Sequence, residues 1–283
     1  MIDAEDLGVT LPHEHLLADF SVWFTEPKGA GLKRLAYEPV SIKNRDWIWH
    51  NPLSSLDNTR FLDEEMVMEE VMLFKREGGC TIVELSNVNI GRDPLGLARI
   101  SRATGINVVM GSGYYVGEVQ GPDYDRKTEE EIAEEIIADI QVGVGDTGVC
   151  AGIIGEIGIS IPMREEERKV LRAAGIAQQE TGAAINIHPG GCQDSPFECV
   201  KILDEVGVDL SRVAFSHMGR TFPISARGGR DRLAGKGCCL EFDAFGFAVT
   251  YPTQTAEMCP YDRPNDAIRI TIIQELIEDA LTF

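Results

Sequence analysis

Short apolar runs alternating strictly with helical stretches constrain this chain more than any other feature. After Val9–Leu17 come Thr81-Ile-Val-Glu-Leu85, Asn107-Val-Val-Met-Gly111, the run from Ala151 to Gly158, Ala183–His188, Val213–His217 and Cys239–Asp243, seven runs in all. They are nearly continuous in apolar residues, the pattern of parallel strands covered on both faces. Between them lie helices with legible ends. Asp63 caps one whose Met66, Val67, Val71 and Phe74 recur at helical spacing up to Gly78-Gly79. Thr128 and Glu131 form a capping box before Ile132, Ile136, Ile137 and Ile140. Further helices are expected over Pro94–Thr104, Arg164–Thr181, Pro196–Val206, Ser225–Ala234 and from Pro264 to the end. Ala18–Leu62 lacks clear periodicity and holds all three tryptophans, so it reads as a long loop whose aromatic rings pack onto the body.

No glycine-rich phosphate fingerprint follows the first strand, which weighs against a dinucleotide-binding open sheet. The expected fold is an α/β (β/α)8 TIM barrel forming a single domain over residues 1–283, with reactive groups at the C-terminal ends of its strands. A formal charge of −20 argues against a nucleic-acid partner, which needs a basic surface. No apolar run approaches the roughly 18 residues of a membrane span, and the opening Met-Ile-Asp-Ala-Glu-Asp is unlike a signal peptide. Seven cysteines without a Cys-x-x-Cys pair read as reduced thiols, hence a cytoplasmic location and no membrane partner.

The chain has only five histidines, and four of them sit at or near strand ends. His13 and His15 are two residues apart, so on an extended strand both rings point to one face. His188 and His217 close two later apolar runs, and Glu156 lies inside Gly152-Ile-Ile-Gly-Glu-Ile-Gly158. A carboxylate in such a run is buried, and an uncompensated buried charge costs several kcal/mol. Imidazoles plus one carboxylate suit zinc or a similar first-row cation, and a carboxylate is able to bridge two ions. Two such ions hold and activate a hydroxide at neutral pH.

These residues carry a specific resemblance. Thr10-Leu-Pro-His-Glu-His-Leu16, Gly152–Gly158, Ile187-His-Pro-Gly190, Ser216-His217 with Arg220-Thr221, and Leu240-Glu-Phe-Asp-Ala-Phe-Gly246 resemble the phosphotriesterase family of the amidohydrolase superfamily, in its phosphotriesterase-related branch, over essentially the whole chain. The resemblance implies a metal-dependent hydrolase with two divalent cations, zinc being the expected metal. One ion is expected on His13 and His15 and the other on His188 and His217, with Glu156 bridging them as the catalytic carboxylate. It also implies a small-molecule substrate, in this branch an N-acyl amino compound such as N-acetyltaurine, and it leaves a homodimer open.

In the family pattern an eighth strand ends in a His-Asp pair whose Asp binds the first metal and accepts a proton. Here the chain stops at Asp279-Ala-Leu-Thr-Phe283, so the expected barrel lacks its eighth strand. A rival expectation follows, a metal-binding pseudoenzyme impaired by loss of that acceptor. Asp243 is weighed as a substitute ligand and assigned instead to strand seven. Arg92 and Tyr115 are candidate substrate-binding residues, and Glu84 a group that orients a ligand histidine.

Overall fold

The computed structural model of the chain describes residues 3–119, 126–222, 226–246 and 265–280. Local chemistry sets the helix ends much as expected. Asp63 Oδ1 accepts the Glu65 and Met66 N–H groups at 3.0 and 3.2 Å, opening α3 (Glu64–Arg76) after the shorter α1 (Ala30–Tyr37) and α2 (Arg45–His50). Asp93 likewise accepts from Leu95 and Gly96 at the head of α4 (Pro94–Thr104), whose first residue is a proline with no N–H to satisfy. The Thr128–Glu131 box closes reciprocally at 2.8 and 3.2 Å and opens α5 (Glu129–Gln141). α1, α2 and a small antiparallel pair, Ala18–Asp19 with Arg60–Phe61, occupy the stretch expected to be a loop. Helices of 8 and 6 residues complete too few turns to display a period in the sequence.

The chain divides into two compact units, Met1–Ser112 with Asp139–Gly152, and Gly113–Ala138 with Ile153–Phe283. The first carries three parallel strands, β1 (Val9–Glu14), β2 (Gly79–Glu84) and β3 (Asn107–Ser112). Thr10 stands opposite Thr81 and Glu14 opposite Glu84. Leu16, Leu17, Val71, Ile82, Leu97, Ile100 and Met110 bury together as its core.

The second unit carries four parallel strands, β4 (Ile153–Gly158), β5 (Ile185–His188), β6 (Val213–Phe215) and β7 (Cys239–Leu240). Gly158 stands opposite His188 and Ile187 opposite Phe215, so the C-terminal ends of these strands lie side by side. α6 (Glu165–Thr181) and α7 (Ser195–Val206) cover them, and Ile154, Ile157, Leu171, Ile185, Leu203 and Phe215 are buried. β6 and β7 are shorter than expected, because the chain leaves extended conformation where site residues begin: His217 takes φ 60° and opens the brief α8 (Met218–Thr221). α9 (Arg227–Ala234) and α10 (Asp266–Ala280) complete the described helices. Their expected starts at Ser225 and Pro264, and the final residue Phe283, lie outside the described residues.

Glu167, on the first turn of α6, ties two loops of this unit together. Fully buried, it accepts the N–H groups of Gly117, Ser160 and Arg164 at 2.9, 3.0 and 3.0 Å and the Ser160 hydroxyl at 2.7 Å. Its removal leaves several donors without an acceptor. Glu167→Ala is expected to lower stability by about 3 kcal/mol or more, and Glu167→Gln by roughly half that. Urea titration checks this; an unchanged midpoint in the alanine variant contradicts the assignment.

Candidate metal centre

In the first unit β1 carries His13, and His15 follows one residue past its end, on the same side of the chain. Their Nε2 atoms lie 3.4 Å apart, and His13 is only 8% exposed. His15 Nδ1 is 3.1 Å from the Ser86 hydroxyl, which leaves its Nε2 to face His13. Two ligand atoms about 2.1 Å from one tetrahedral cation stand about 3.4 Å apart, so the pair has the separation of two ligands on one ion.

Glu84, on β2, is fully buried and accepts the Leu16 N–H at 3.2 Å. Burial pushes its carboxyl up to about 7, against the opposing influence of His15 and hydrogen bonds from Ser86 and Leu16. Glu84 therefore fixes the backbone just past His15, while Ser86 contacts the ring. Arg92, expected as a substrate contact, lies 2.9 Å from Asp139 Oδ2 and donates to the Gly111 carbonyl at 3.0 Å. Asp139 also accepts from Ser112, so this half-buried ion pair anchors the end of β3.

In the second unit the end of β4 sets Glu156 among rings from its neighbours. Glu156 is 0% exposed, with Oε2 3.1 Å from His188 Nδ1 and 3.9 Å from His217 Nε2. Those two ring nitrogens are 3.0 Å apart. The three residues form one of the groups able to offer ligand atoms within 4.8 Å of one another. Asp243 is not simply a strand residue: its Oδ2 lies 2.7 Å from His217 Nδ1 and accepts the His217 N–H at 3.1 Å. A carboxylate on Nδ1 holds that nitrogen protonated and turns the Nε2 lone pair toward Glu156, as partners of metal-ligating histidines do. The donor set thus fits a divalent first-row cation in composition, spacing and ring orientation.

Glycines explain how a carboxylate reaches this position. Gly155 has φ 134°, and a Cβ there would lie 2.4 Å from the Asn186 carbonyl oxygen. A Cβ on Gly158 would lie 2.3 Å from Val116 N, so only glycine admits the loop carrying Tyr115 against β4. Tyr115 is buried there, its hydroxyl 3.3 Å from His188 Nδ1 and its ring edge-on to the imidazole. Burial, reinforced by the Glu156 charge, raises its phenol well above the ordinary value, so it stays a neutral hydrogen-bond donor.

Beneath the two histidines runs a buried polar network. Glu241 Oε2 accepts from Asn186 Nδ2 at 2.8 Å and lies 3.0 Å from the Ser216 hydroxyl, which is 2.7 Å from Asn186 Oδ1. It joins residues on or beside β5, β6 and β7. Ser86, Asn186, Ser216 and Glu241 carried no role in the sequence reading. The available signal was their two-residue spacing from a candidate ligand or its neighbour, or, for Ser216, adjacency to His217.

The sequence profile described as the phosphotriesterase family matches residues 1–282. An N-acetyltaurine hydrolase of Dictyostelium discoideum is 36% identical, covering 98% of this chain and 79% of its own length. A phosphotriesterase-related protein of Nematostella vectensis is also 36% identical, over 99% of this chain and 79% of its own. Among solved structures, a resiniferatoxin-binding protein from Rhodobacter sphaeroides superposes with a TM-score of 0.92 at 33% identity, over 98% of this chain and 76% of that one. Parallel strands in alternation with helices, together with these likenesses, define a hydrolase of the (β/α)-barrel class with seven of its strands among the described residues. The chain belongs to the phosphotriesterase family. Its substrate is accordingly a small molecule, and no described helix is long and apolar enough to cross a membrane.

The raised Glu84 carboxyl yields a pH prediction for chelator-treated protein. Folded Glu84 keeps its proton to about pH 7, while the unfolded group releases it near 4.5. The folded state therefore binds the extra proton between these values, and stability falls as pH rises through that window, by about 3 kcal/mol in total. Denaturant titrations across pH 4.5–7 are expected to show this slope and to lose most of it in Glu84→Gln. Identical slopes in both proteins contradict the assignment.

Proposed function

We propose that this protein is a metal-dependent amide hydrolase acting on short N-acyl amino compounds, with N-acetyltaurine as the first substrate to test. The observation that carries the reading is the fully buried Glu156 carboxylate beside two imidazoles whose nitrogens converge on it. The relatives named as N-acetyltaurine hydrolases support the substrate class. The pseudoenzyme alternative has no comparable support.

In this reading His188 Nδ1, His217 Nε2 and Glu156 are ligands, and His13 and His15 supply two further nitrogens. Two divalent cations, zinc first among candidates, would provide a water of lowered pKa and polarise the scissile carbonyl. Glu156 would supply the negative charge that a cation held by His188 and His217 needs. Asp243 holds the His217 ring in its ligating tautomer, as Ser86 does for His15. Tyr115 presents a neutral O–H toward the His188 edge of the site, where it can donate to substrate. A cytoplasmic location accords with six free cysteines among the described residues.

Chelation is expected to abolish N-acetyltaurine hydrolysis, and Zn²⁺ or Mn²⁺ to restore it. Elemental analysis should find two equivalents of metal, and Glu156→Gln should lose at least one; a full complement in Glu156→Gln counts against Glu156 as a ligand. Activity that survives exhaustive chelation sinks the proposal. Asp243→Asn should weaken metal binding by roughly 10–100-fold, the usual effect of removing a carboxylate that orients a ligand histidine. Competition with a fluorescent chelator measures this, and unaltered affinity would show that the Asp243–His217 pair has no part in metal binding.

A further inference from the structure

Arginines in this acidic chain commonly lie against a carboxylate: Arg92 against Asp139, Arg164 against Glu118, Arg168 against Glu198 and Arg269 against Asp266. Arg220, on α8, does not. Its Nη2 donates to the Pro189 carbonyl at 3.1 Å and lies 3.4 Å from His188 Nε2. No carboxylate of the described residues is within ion-pair distance of it, and its Nε is buried without a hydrogen-bond partner. A guanidinium carries five N–H donors and no acceptor, and most of these are unused.

The His188 contact weakens further once that ring binds a cation. With Nδ1 committed to the metal, Nε2 must carry the ring proton and has no lone pair to offer Arg220. The guanidinium then stands beside a cation-bearing imidazole with no countercharge among the described residues. The Tyr115 hydroxyl contacts the same ring, 3.3 Å from its Nδ1, so both groups border His188.

We infer that Arg220 receives the anionic end of the substrate, a sulfonate or carboxylate on the amine side of the scissile N-acyl bond, and so sets specificity for anionic over neutral N-acyl amines. The inference rests on the amide-hydrolase reading above. One imidazole ring separates the guanidinium from the ligating Nδ1, so anion and scissile carbonyl are held a few bonds apart. That suits a short linker such as the two carbons of an N-acyl aminoethanesulfonate. The planar fork of Arg220 matches two oxygens of either anion.

Three amides separate the cases: N-acetyltaurine, N-acetyl-β-alanine with a carboxylate at like spacing, and neutral N-acetylethanolamine. The wild type should prefer an anionic amide over the neutral one by roughly 10²-fold in kcat/KM. In Arg220→Met that ratio should collapse toward one, chiefly through KM, with metal content unchanged; Arg220→Lys should recover part of it. The preferred anion tells sulfonate from carboxylate recognition. A ratio unchanged in Arg220→Met, or one that falls equally in Arg220→Lys, overturns the inference. Calorimetric titration of N-acetyltaurine into the metal-loaded proteins keeps the two readings separable. If no amide is hydrolysed, the hydrolase reading fails; binding lost in Arg220→Met and partly kept in Arg220→Lys still sustains the anion receptor. Equal binding by wild type and Arg220→Met, or none by the wild type, overturns it.

Discussion

A carboxylate with no exposure to water stands against imidazoles at the end of β4, and the rest of the second unit is arranged around that fact. Burying Glu156 is costly unless positive charge or strong donors meet it. The fold brings His188 from β5 and His217 from just past β6 to within 3.1 and 3.9 Å of one oxygen. Neutral imidazoles alone are weak compensation. A shared cation converts the same donors into a favourable cluster, because each ring then has its lone pair engaged and the acid its countercharge. The spacing of His13 and His15 in the first unit obeys the same ligand geometry.

Much of the neighbouring structure serves to hold rings still. Asp243 fixes the tautomer of His217, and Ser86 takes the far nitrogen of His15. The Asn186–Ser216–Glu241 network locks the strand ends beneath His188 and His217. Glu167 clamps the loops on which Tyr115 and Ser160 sit. Gly155 and Gly158 permit approaches that any side chain would block. Binding a metal at a pre-set geometry loses less conformational freedom than organising flexible ligands, which is one reason such support shells accompany metal sites.

The alternation of apolar runs with capped helices was legible in the sequence because both signals are local. Asp63 and the Thr128–Glu131 box state helix starts within three or four residues of chain. The family was legible too, and scarce histidines at strand ends marked the positions where His13 meets His15 and where His188 and His217 meet Glu156. Tyr115 lies beside His188. What escaped was whatever depends on tertiary partners. Arg92 reads as a free cation until Asp139 is seen beside it, and Arg220 reads as one motif letter until it is seen without a carboxylate among the described residues. Asp243 reads by resemblance as a strand-seven residue until its contact with His217 is seen. Likewise α1 and α2 were too short to betray a period.

The most direct test of the account is X-ray absorption on protein reconstituted with zinc. The account predicts nitrogen and oxygen scatterers at about 2.0–2.1 Å with the outer-shell pattern of imidazole, diminished in a His188→Ala, His217→Ala variant. A sulfur shell near 2.3 Å, or a spectrum that the double substitution leaves unaltered, would contradict it.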